Sequence, residues 1–410
     1  METMAPSELR TLPFDPTDAS FIADPYPVLS ALREDTPLVY DERLERWFVT
    51  RHADVRACLR DKRLGRNFRH VGTDAEFHAE PLDPRWSEFW ASERWSLLWL
   101  EPPEHTRIRK LVAAAFTPRA VESMREPATR LAHSLLEDLG ETFDLLYDYA
   151  QPYSITLICE LLGVPTDRHR DLLAWSHAIV KMYEFDTTDE QAAAANEAAR
   201  EFRAYVQGLI EERRAEPRDD MVSGLVAARV DGERLSDDQI VSTVVVLLNA
   251  GHEATVNTVG NGFRALAAHP DEWQRLVSGD VPAAAAVEEL IRWDAPLQLF
   301  ERWVLEDGVE VAGVPVPRGE KLALLFGSAN RDPRVFTDPD RLDVARPNAA
   351  DHIGFGGGIH VCIGAPLARI ELAASFEALA ELSPTLHLVD EPERVPAFVI
   401  RGFEAVRVAR

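Results

Sequence analysis

The chain has 410 residues, 46% of them hydrophobic and 28% charged, which is an ordinary globular composition with ample apolar surface for a large core. Asp and Glu number 69 against 44 Lys and Arg, so the formal net charge of −25 argues against nucleic acid or anionic membrane as a partner. Three cysteines, Cys58, Cys159 and Cys362, are far apart and odd in number, which argues against a disulfide framework.

No stretch of the sequence approaches the roughly 20 apolar residues that span a bilayer. The first ten residues lack an apolar signal core, and apolar runs such as 111–116 and 244–248 are short. These features predict a cytoplasmic protein.

The amino-terminal quarter mixes several signals. A Pro- and Asp-rich stretch to about residue 24 is expected to run irregularly over the surface, and apolar residues at helical spacing follow Pro25. Segments 38–40 and 47–50 predict a small β-hairpin. The polar, tryptophan-rich stretch 64–100 is longer than an ordinary connection, which favours a functional role.

The middle of the chain is predicted to be helical from about residue 120 to 268. Its longest helix covers residues 237–266 and follows a capping-box signal. We therefore predict a mainly α protein that forms a single domain over residues 1–410. The β-rich pieces are placed at about 36–50, 305–327 and 386–410.

A glycine-dense loop stands out near the carboxyl end. It reads Gly354-Phe355-Gly356-Gly357-Gly358-Ile359-His360-Val361-Cys362-Ile363-Gly364 and precedes an apolar helix. Glycines let the backbone turn tightly and approach a flat partner. At the mouth of a helix, free N–H groups and the positive dipole end favour the thiolate of Cys362. Cys362 is thus a candidate axial ligand of haem iron, and the alternative is an inert buried cysteine in a turn.

A second motif, Glu289-Leu290-Ile291-Arg292, places Glu289 and Arg292 on one helix face, a spacing also common in surface ion pairs. With the cysteine loop, Asn330–Pro333 and Arg346, this motif makes the chain resemble the cytochrome P450 family of haem-thiolate monooxygenases, in its soluble bacterial form. The resemblance implies the P450 fold, with a long central helix over the haem and a smaller β-rich region. It also implies a buried Glu289–Arg292–Arg346 network that braces the haem pocket.

By the same resemblance the cofactor is haem b, with Cys362 as the axial thiolate whose electron donation favours O–O cleavage. The anionic propionates need cationic or hydrogen-bond-donating partners. The predicted propionate ligands are His105, Arg109, Arg302 and His360, with His352 as a further candidate. Other predicted cofactor contacts are Phe355, Gly356, Gly364 and Ala250.

The long central helix departs from the family pattern. Glu253 matches the acid that relays protons during oxygen activation, but Ala254 stands where the family has an alcohol. Thr255 follows one residue later, which turns its side chain about 100° around the helix. Three explanations stay open: the substrate supplies a hydroxyl or a water, the enzyme runs peroxide-driven or similar chemistry, or Thr255 or Asn249 substitutes for the alcohol.

The function implied by the resemblance is insertion of one oxygen atom from O2 into a small organic molecule, in secondary metabolism or xenobiotic oxidation. We expect a monomer that receives electrons from a ferredoxin and its reductase, docked on basic residues such as Arg107 and Lys110. The alternatives are a peroxide-driven or non-hydroxylating family member and a haem-thiolate sensor without turnover. The predicted pocket residues are Trp95, Val246, Asn249, Ala250, Leu297, Leu299 and Phe398.

Overall fold

The computed structural model describes residues 12–410, and helices dominate it. The predicted irregular stretch at the amino terminus lies partly outside these residues, and its last part forms a short helix instead, since the Asp18 carboxylate caps the first turn. The α-helices are α1 Ala19–Ala23, α2 Tyr26–Asp35, α3 His52–Cys58, α4 Ser87–Glu93, α5 Glu104–Ala115, α6 Pro118–Ser123, α7 Arg125–Glu137, α8 Gln151–Leu162, α9 His169–Val180, α10 Asp189–Ala215, α11 Met221–Ala227, α12 Asp237–Ala267, α13 Pro270–Val277, α14 Ala283–Trp293, α15 Phe326–Ala329 and α16 Ala365–Leu382.

The strands form three small sheets. The five-stranded sheet has the order β1-β2-β8-β5-β3, in which only β2 and β8 run parallel, and it contains the hairpin predicted at 38–50. The other two sheets have the orders β4-β10-β9 and β6-β7. The strands are β1 Leu38–Asp41, β2 Arg46–Val49, β3 Leu64–Gly65, β4 Thr142–Asp144, β5 Leu299–Val304, β6 Val309–Val311, β7 Val314–Val316, β8 Lys321–Leu325, β9 His387–Leu388 and β10 Arg407–Ala409.

Three strands of residues 12–410 lie outside the predicted β-rich pieces, and one of them, β3, is only two residues long. Strand β5 begins at Leu299, before the expected boundary at 305, and carries Glu301 and Arg302 in a half-buried strand that the alternation of apolar residues does not reveal. Strand β4 is short and is stabilised by pairing with β10 near the end of the chain, a long-range contact that local sequence does not encode.

Helix α12 is the central element of the helical region. It starts at Asp237, as predicted, with both hydrogen bonds of a capping box between Ser236 and Gln239. Most of its residues are buried, since α8, α10, α14 and α16 all pack against it. One helix thus runs through the largest apolar core, and any polar group on it is placed deep in the protein.

A large core joins the helices, and smaller ones lie beside the five-stranded sheet. The sheet-side cores contain Leu299 and Phe398 together with apolar residues from α1 and α2. The cysteine loop connects the two regions, because it follows the sheet and leads directly into α16. Within residues 12–410, no helix has the length and apolar character needed to cross a membrane.

Candidate active site

Cys362 lies in the last turn before α16. Its N–H donates to the Phe355 carbonyl at 2.9 Å. Burial raises the pKa of the Cys362 thiol, and the N–H groups of Gly364 and Ala365, which donate to the sulfur, act in the opposite direction. The Cys362 side chain is nevertheless exposed. The sulfur therefore faces open space while protein surrounds it on its other sides.

Glycine is required in this loop at two positions. Gly356 and Gly358 have φ of +68° and +65°, in the left-handed region that L side chains rarely adopt. A Cβ on Gly358 would also overlap the carbonyl oxygen of Leu59. The glycines thus let the loop turn tightly and pack against the end of α3.

Glu289 holds two arginines below this loop. Arg292 donates to its carboxylate through Nε at 2.6 Å and Nη2 at 2.8 Å, and Arg346 Nε lies 3.0 Å from Oε2. Arg292 Nη1 also donates to the carbonyls of Asn330 and Pro339. The side chains of Glu289 and Arg292 are fully buried. This cluster, called here the Glu289 brace, ties α14 to the segment that leads into the cysteine loop.

His352 does not join the other propionate candidates. Its Nδ1 accepts the Gly354 N–H at 3.0 Å, so Nε2 carries the proton and donates to Glu288 Oε2 at 3.1 Å. Burial disfavours the charge on Glu288, but His352 and Arg369 hold the pKa of that carboxyl well below its usual range. Both ring nitrogens of His352, which was predicted as a further propionate ligand, are engaged by the protein, and these contacts hold the loop in place.

His105 and Arg302 each have a buried polar atom that is unpaired within residues 12–410, and His360 lies beside His105. The rings of His105 and His360 are 4.6 Å apart, and His360 Nε2 is 3.1 Å from Glu101 Oε1. His105 Nε2 and Arg302 Nη2 are buried and have no hydrogen-bond partner. Burial lowers the pKa of His105 to about 4 and that of Arg302 to about 9. Arg109 lies nearer the cysteine and donates to the Val361 carbonyl at 2.7 Å.

These groups fit a planar cofactor with carboxylate arms. A buried guanidinium and an imidazole with unpaired N–H positions favour anionic ligands such as propionates. The exposed sulfur of Cys362, with backbone donors behind it, suits a thiolate that binds iron. Cys362, His105 and Arg302 would therefore hold haem, which supplies oxygen activation when it is bound. Both ring nitrogens of His360 already have protein contacts, with the Leu97 carbonyl and the Glu101 carboxylate.

The helix α12 has one stripe that faces open space. Ala250 and Ala254 are exposed, and Leu247 and Gly251 are partly exposed, in a helix that is otherwise largely buried. Small side chains on this stripe leave room for a ligand. Ala254, where the family has an alcohol, therefore lies on the part of α12 that faces this open space.

Glu253 points toward helix α9. Burial raises the pKa of its carboxyl, and His177 and Lys181 act in the opposite direction. His177 Nε2 lies 3.3 Å from Glu253 Oε1, although the groups are not aligned as a hydrogen bond, since Oε1 has no bonded partner. A carboxyl with a raised pKa holds its proton more readily than a solvent-exposed one, which suits a group that passes protons on.

Thr255 points away from Ala254, as predicted, and it contacts a residue that the sequence did not suggest. Its Oγ1 lies 3.0 Å from the Gly251 carbonyl and 3.3 Å from Glu371 Oε2. Burial raises the pKa of Glu371 to about 8. The protonated Glu371 can therefore donate to Thr255 while Thr255 donates to Gly251. No local motif marks Glu371, because its position depends on the packing of α16 on α12.

The predicted pocket residues separate into two groups. Trp95 and Leu297 are partly exposed, whereas Val246 and Asn249 are buried beside the open stripe of α12, and Asn249 Oδ1 has no hydrogen-bond partner. Leu299 and Phe398 are 2% exposed and pack in the sheet-side core. Other apolar side chains enclose those two predicted pocket residues, so neither of them faces the open stripe of α12.

Buried charges near the pocket residues were also missed. Tyr183 Oη donates to Glu93 at 3.2 Å, and burial raises the pKa of Glu93 to about 7. Arg66 stacks on Phe300 at 3.9 Å and donates to the Glu301 carbonyl. Arg66 is close enough to Glu93 for its positive charge to act against burial and lower the pKa of that carboxyl. The region above the long helix is thus more polar than its tryptophans suggest.

The fold and this constellation define a class: a helical protein in which a loop thiolate and a set of buried cations hold haem, with a long helix across from them. A family model described as Cytochrome P450 matches residues 69–278 and 283–381. The chain belongs to the cytochrome P450 family, and it is accordingly a haem-thiolate monooxygenase.

Relatives match over nearly the full length. The chain is 34% identical to the polyketide biosynthesis cytochrome P450 PksS of Bacillus subtilis, over 98% of this chain and 99% of the relative. It is 36% identical to the 6-deoxyerythronolide B hydroxylase of Saccharopolyspora erythraea, again over 98% and 99%. The crystal structure of P450BioI in complex with a hexadec-9Z-enoic acid ligated acyl carrier protein has a TM-score of 0.88, at 30% identity, over 95% of this chain and 99% of that one.

Proposed function

We propose that this protein binds haem b and hydroxylates a polyketide-type or other bulky, oxygen-bearing small molecule, whose own hydroxyl or ordered water completes proton delivery. The observation that carries the proposal is the exposed Ala254 beside Glu253. Without an alcohol there, a polar group of the substrate can occupy the open stripe of α12 and pass protons onward.

The names of relatives support this substrate class. Besides the two described above, the mycinamicin IV hydroxylase/epoxidase of Micromonospora griseorubida is 37% identical over 94% of this chain.

Two groups of this chain are proposed to hold the protons. Glu253 extends from α12 toward α9, and Glu371 of α16 contacts Thr255 of α12, so the two carboxyls lie on different sides of α12. Both have a raised pKa because of burial. We propose that Glu371 and Thr255 form a second proton source beside Glu253, which offsets the missing alcohol.

Electrons are proposed to come from a ferredoxin and its reductase. Arg109 lies against the cysteine loop, and Arg107 and Lys110 are on the same helix α5. Both are already engaged by acidic groups, Arg107 by Glu104 and Lys110 by Asp231. An acidic partner would therefore compete with these surface ion pairs, which are weak at about 0–1 kcal/mol.

The test installs the missing alcohol. A substrate is first found by its shift of the haem spin state, and product formed per electron consumed is then measured for the wild type and Ala254→Thr. We expect the ratio to stay equal or to fall in Ala254→Thr, because the threonine displaces the substrate's polar group. A clear rise in both rate and ratio would contradict the substrate-assisted proposal.

Two further measurements separate the alternatives. Turnover with hydrogen peroxide that exceeds turnover with ferredoxin and reductase would favour the peroxide-driven alternative, for which the missing alcohol is the motivating observation. Absence of any spin-state shift across a broad ligand panel would favour a sensor.

A further inference from the structure

His177, His252 and Glu253 form a cluster where α9 meets α12. One potential ligand atom from each residue, a ring nitrogen or a carboxylate oxygen, lies within 4.8 Å of the others. The two imidazole rings are 5.9 Å apart between centroids. Three metal-binding side chains from two helices thus converge on one point.

His252 is the unusual member of the cluster. It is 0% exposed, and neither Nδ1 nor Nε2 has a hydrogen-bond partner among residues 12–410. A buried polar group without a partner costs about 1–3 kcal/mol, so such a histidine calls for a ligand. The charges of His177 and Lys181 stabilise the carboxylate of Glu253. Neither residue provides a hydrogen bond to His252.

The protonation state of His252 suits a metal. Burial and the neighbouring His177 lower the pKa of His252 to about 3, so its ring is neutral near pH 7. A neutral imidazole has the free lone pair that a metal requires.

The donor set is that of zinc. Two imidazole nitrogens and one carboxylate oxygen, with a fourth position left for water, occur in zinc sites with bonds of about 2.0–2.2 Å. Such bonds put ligand atoms roughly 3.3 Å apart, so the widest separation in the cluster has to shrink by up to about 1.5 Å. The His177 side chain, which is 44% exposed, is free to make this movement.

An ion has access to the cluster from a cavity of about 230 Å³ that His177 and Glu253 line. Lys181 and Glu184 line the same cavity. The positive charge of Lys181 opposes metal binding, and the carboxylate of Glu184 offsets it. The three backbone N–H groups of residues 398–400 already bind Glu184.

We propose that His177, His252 and Glu253 form a binding site for a divalent transition metal of the zinc class that links α9 to α12. The bound ion would occupy the carboxylate of Glu253 and thereby slow turnover. That consequence rests on the proposed proton-relay function of Glu253, whereas the binding itself does not.

The test uses the haem-loaded protein in equilibrium dialysis against Zn²⁺, with metal content measured by elemental analysis. We expect one tight site per chain in the wild type, and an affinity at least tenfold weaker in His177→Ala and His252→Asn. His177→Ala is the decisive variant, because a half-exposed side chain can be removed without disturbing the fold. His387→Ala is the matched control, since His387 is exposed and bonds only to a neighbouring carbonyl.

Equal Zn²⁺ affinity of His177→Ala and the wild type would overturn the site, as would the absence of any site tighter than the background of surface histidines. Turnover is then measured with and without Zn²⁺. Inhibition of the wild type that His177→Ala lacks supports both the site and the role of Glu253. His177-dependent binding without inhibition leaves the metal site standing and contradicts the proposed role of Glu253.

Discussion

The two sides of the haem-binding space differ in how their buried polar groups are satisfied. Below the cysteine loop, the carboxylates of Glu289 and Glu288 hold arginines and His352 at hydrogen-bond distance. Along α12, Asn249 Oδ1, both nitrogens of His252 and Glu253 Oε1 have no partner. Buried polar groups are normally paired, because each unpaired one lowers stability.

The difference indicates a division of tasks. The Glu289 brace holds the thiolate side in place through the protein's own contacts, so that side is built before any ligand arrives. The α12 side, with the His105 and Arg302 atoms that also lack partners, gains its missing contacts from cofactor, substrate or ions. Substitutions on the thiolate side should therefore lower the stability of the protein, whereas substitutions on the α12 side should mainly change ligand binding.

The largest effect is expected from Glu289→Gln. The substitution leaves Arg292 and Arg346 without a counter-charge in a buried site, and removal of one partner from such a cluster costs about 3–5 kcal/mol. We expect the free energy of unfolding, measured by denaturant titration, to fall by this amount. The control is Glu126→Gln, whose partner Arg130 is exposed; it should change stability by less than about 0.5 kcal/mol. Equal stability of the two variants would contradict the brace.

A second effect tests the contact between the two sides, where Glu371 of α16 meets Thr255 of α12. The pKa of Glu371 is raised to about 8, so the native protein keeps a proton that the unfolded chain has lost, and stability falls as the pH rises from about 4.5 to 8. One pKa unit corresponds to about 1.4 kcal/mol.

Glu371→Gln removes this dependence, because the amide stays neutral and still donates to Thr255. Relative to the wild type, we expect the variant to gain about 3.5 kcal/mol in free energy of unfolding between pH 5 and pH 8. Glu377→Gln is the control, since Glu377 is exposed on the same helix. A pH profile of Glu371→Gln parallel to that of the wild type would show that Glu371 is ionised in the native protein.

The sequence predicted the two sides unequally. The cysteine loop and the Glu289-to-Arg292 motif are each a short continuous stretch of sequence. Local spacing together with a family resemblance was therefore enough to single them out. Glu371 lies 116 residues from Thr255, and His177 comes to Glu253 from another helix. Such contacts depend on helix packing, which one sequence does not encode locally. His352 was predicted from the family resemblance, and only the structure shows that both of its ring nitrogens have hydrogen-bond partners.

A third effect concerns ligand binding on the open side. Arg302 is buried with Nη2 unpaired, so we expect a cofactor carboxylate to bind it with a charge-assisted hydrogen bond of about 1.5–3 kcal/mol. Arg302→Gln should release haem at least about tenfold faster, measured by transfer to a haem-scavenging protein. Arg407→Gln, at an exposed arginine, should release haem at the wild-type rate. If Arg302→Gln released haem at the wild-type rate, the proposed contact between Arg302 and the cofactor would be wrong.

The smallest effect is expected from Asn249→Leu, and its sign distinguishes the two sides most directly. Asn249 is 5% exposed with Oδ1 unpaired, so leucine removes an unsatisfied group and also improves helix propensity by about 0.4 kcal/mol. We expect the free energy of unfolding to rise by up to about 1 kcal/mol, while the concentration of substrate that half-shifts the spin state rises several-fold. Asn196→Leu is the contrasting control, because Asn196 Oδ1 accepts the N–H groups of Glu88 and Phe89. That substitution should lower stability by about 1–3 kcal/mol and leave substrate binding unchanged. If Asn249→Leu loses stability as Asn196→Leu does, the polar groups along α12 are satisfied by the protein itself, and the proposed difference between the two sides is wrong.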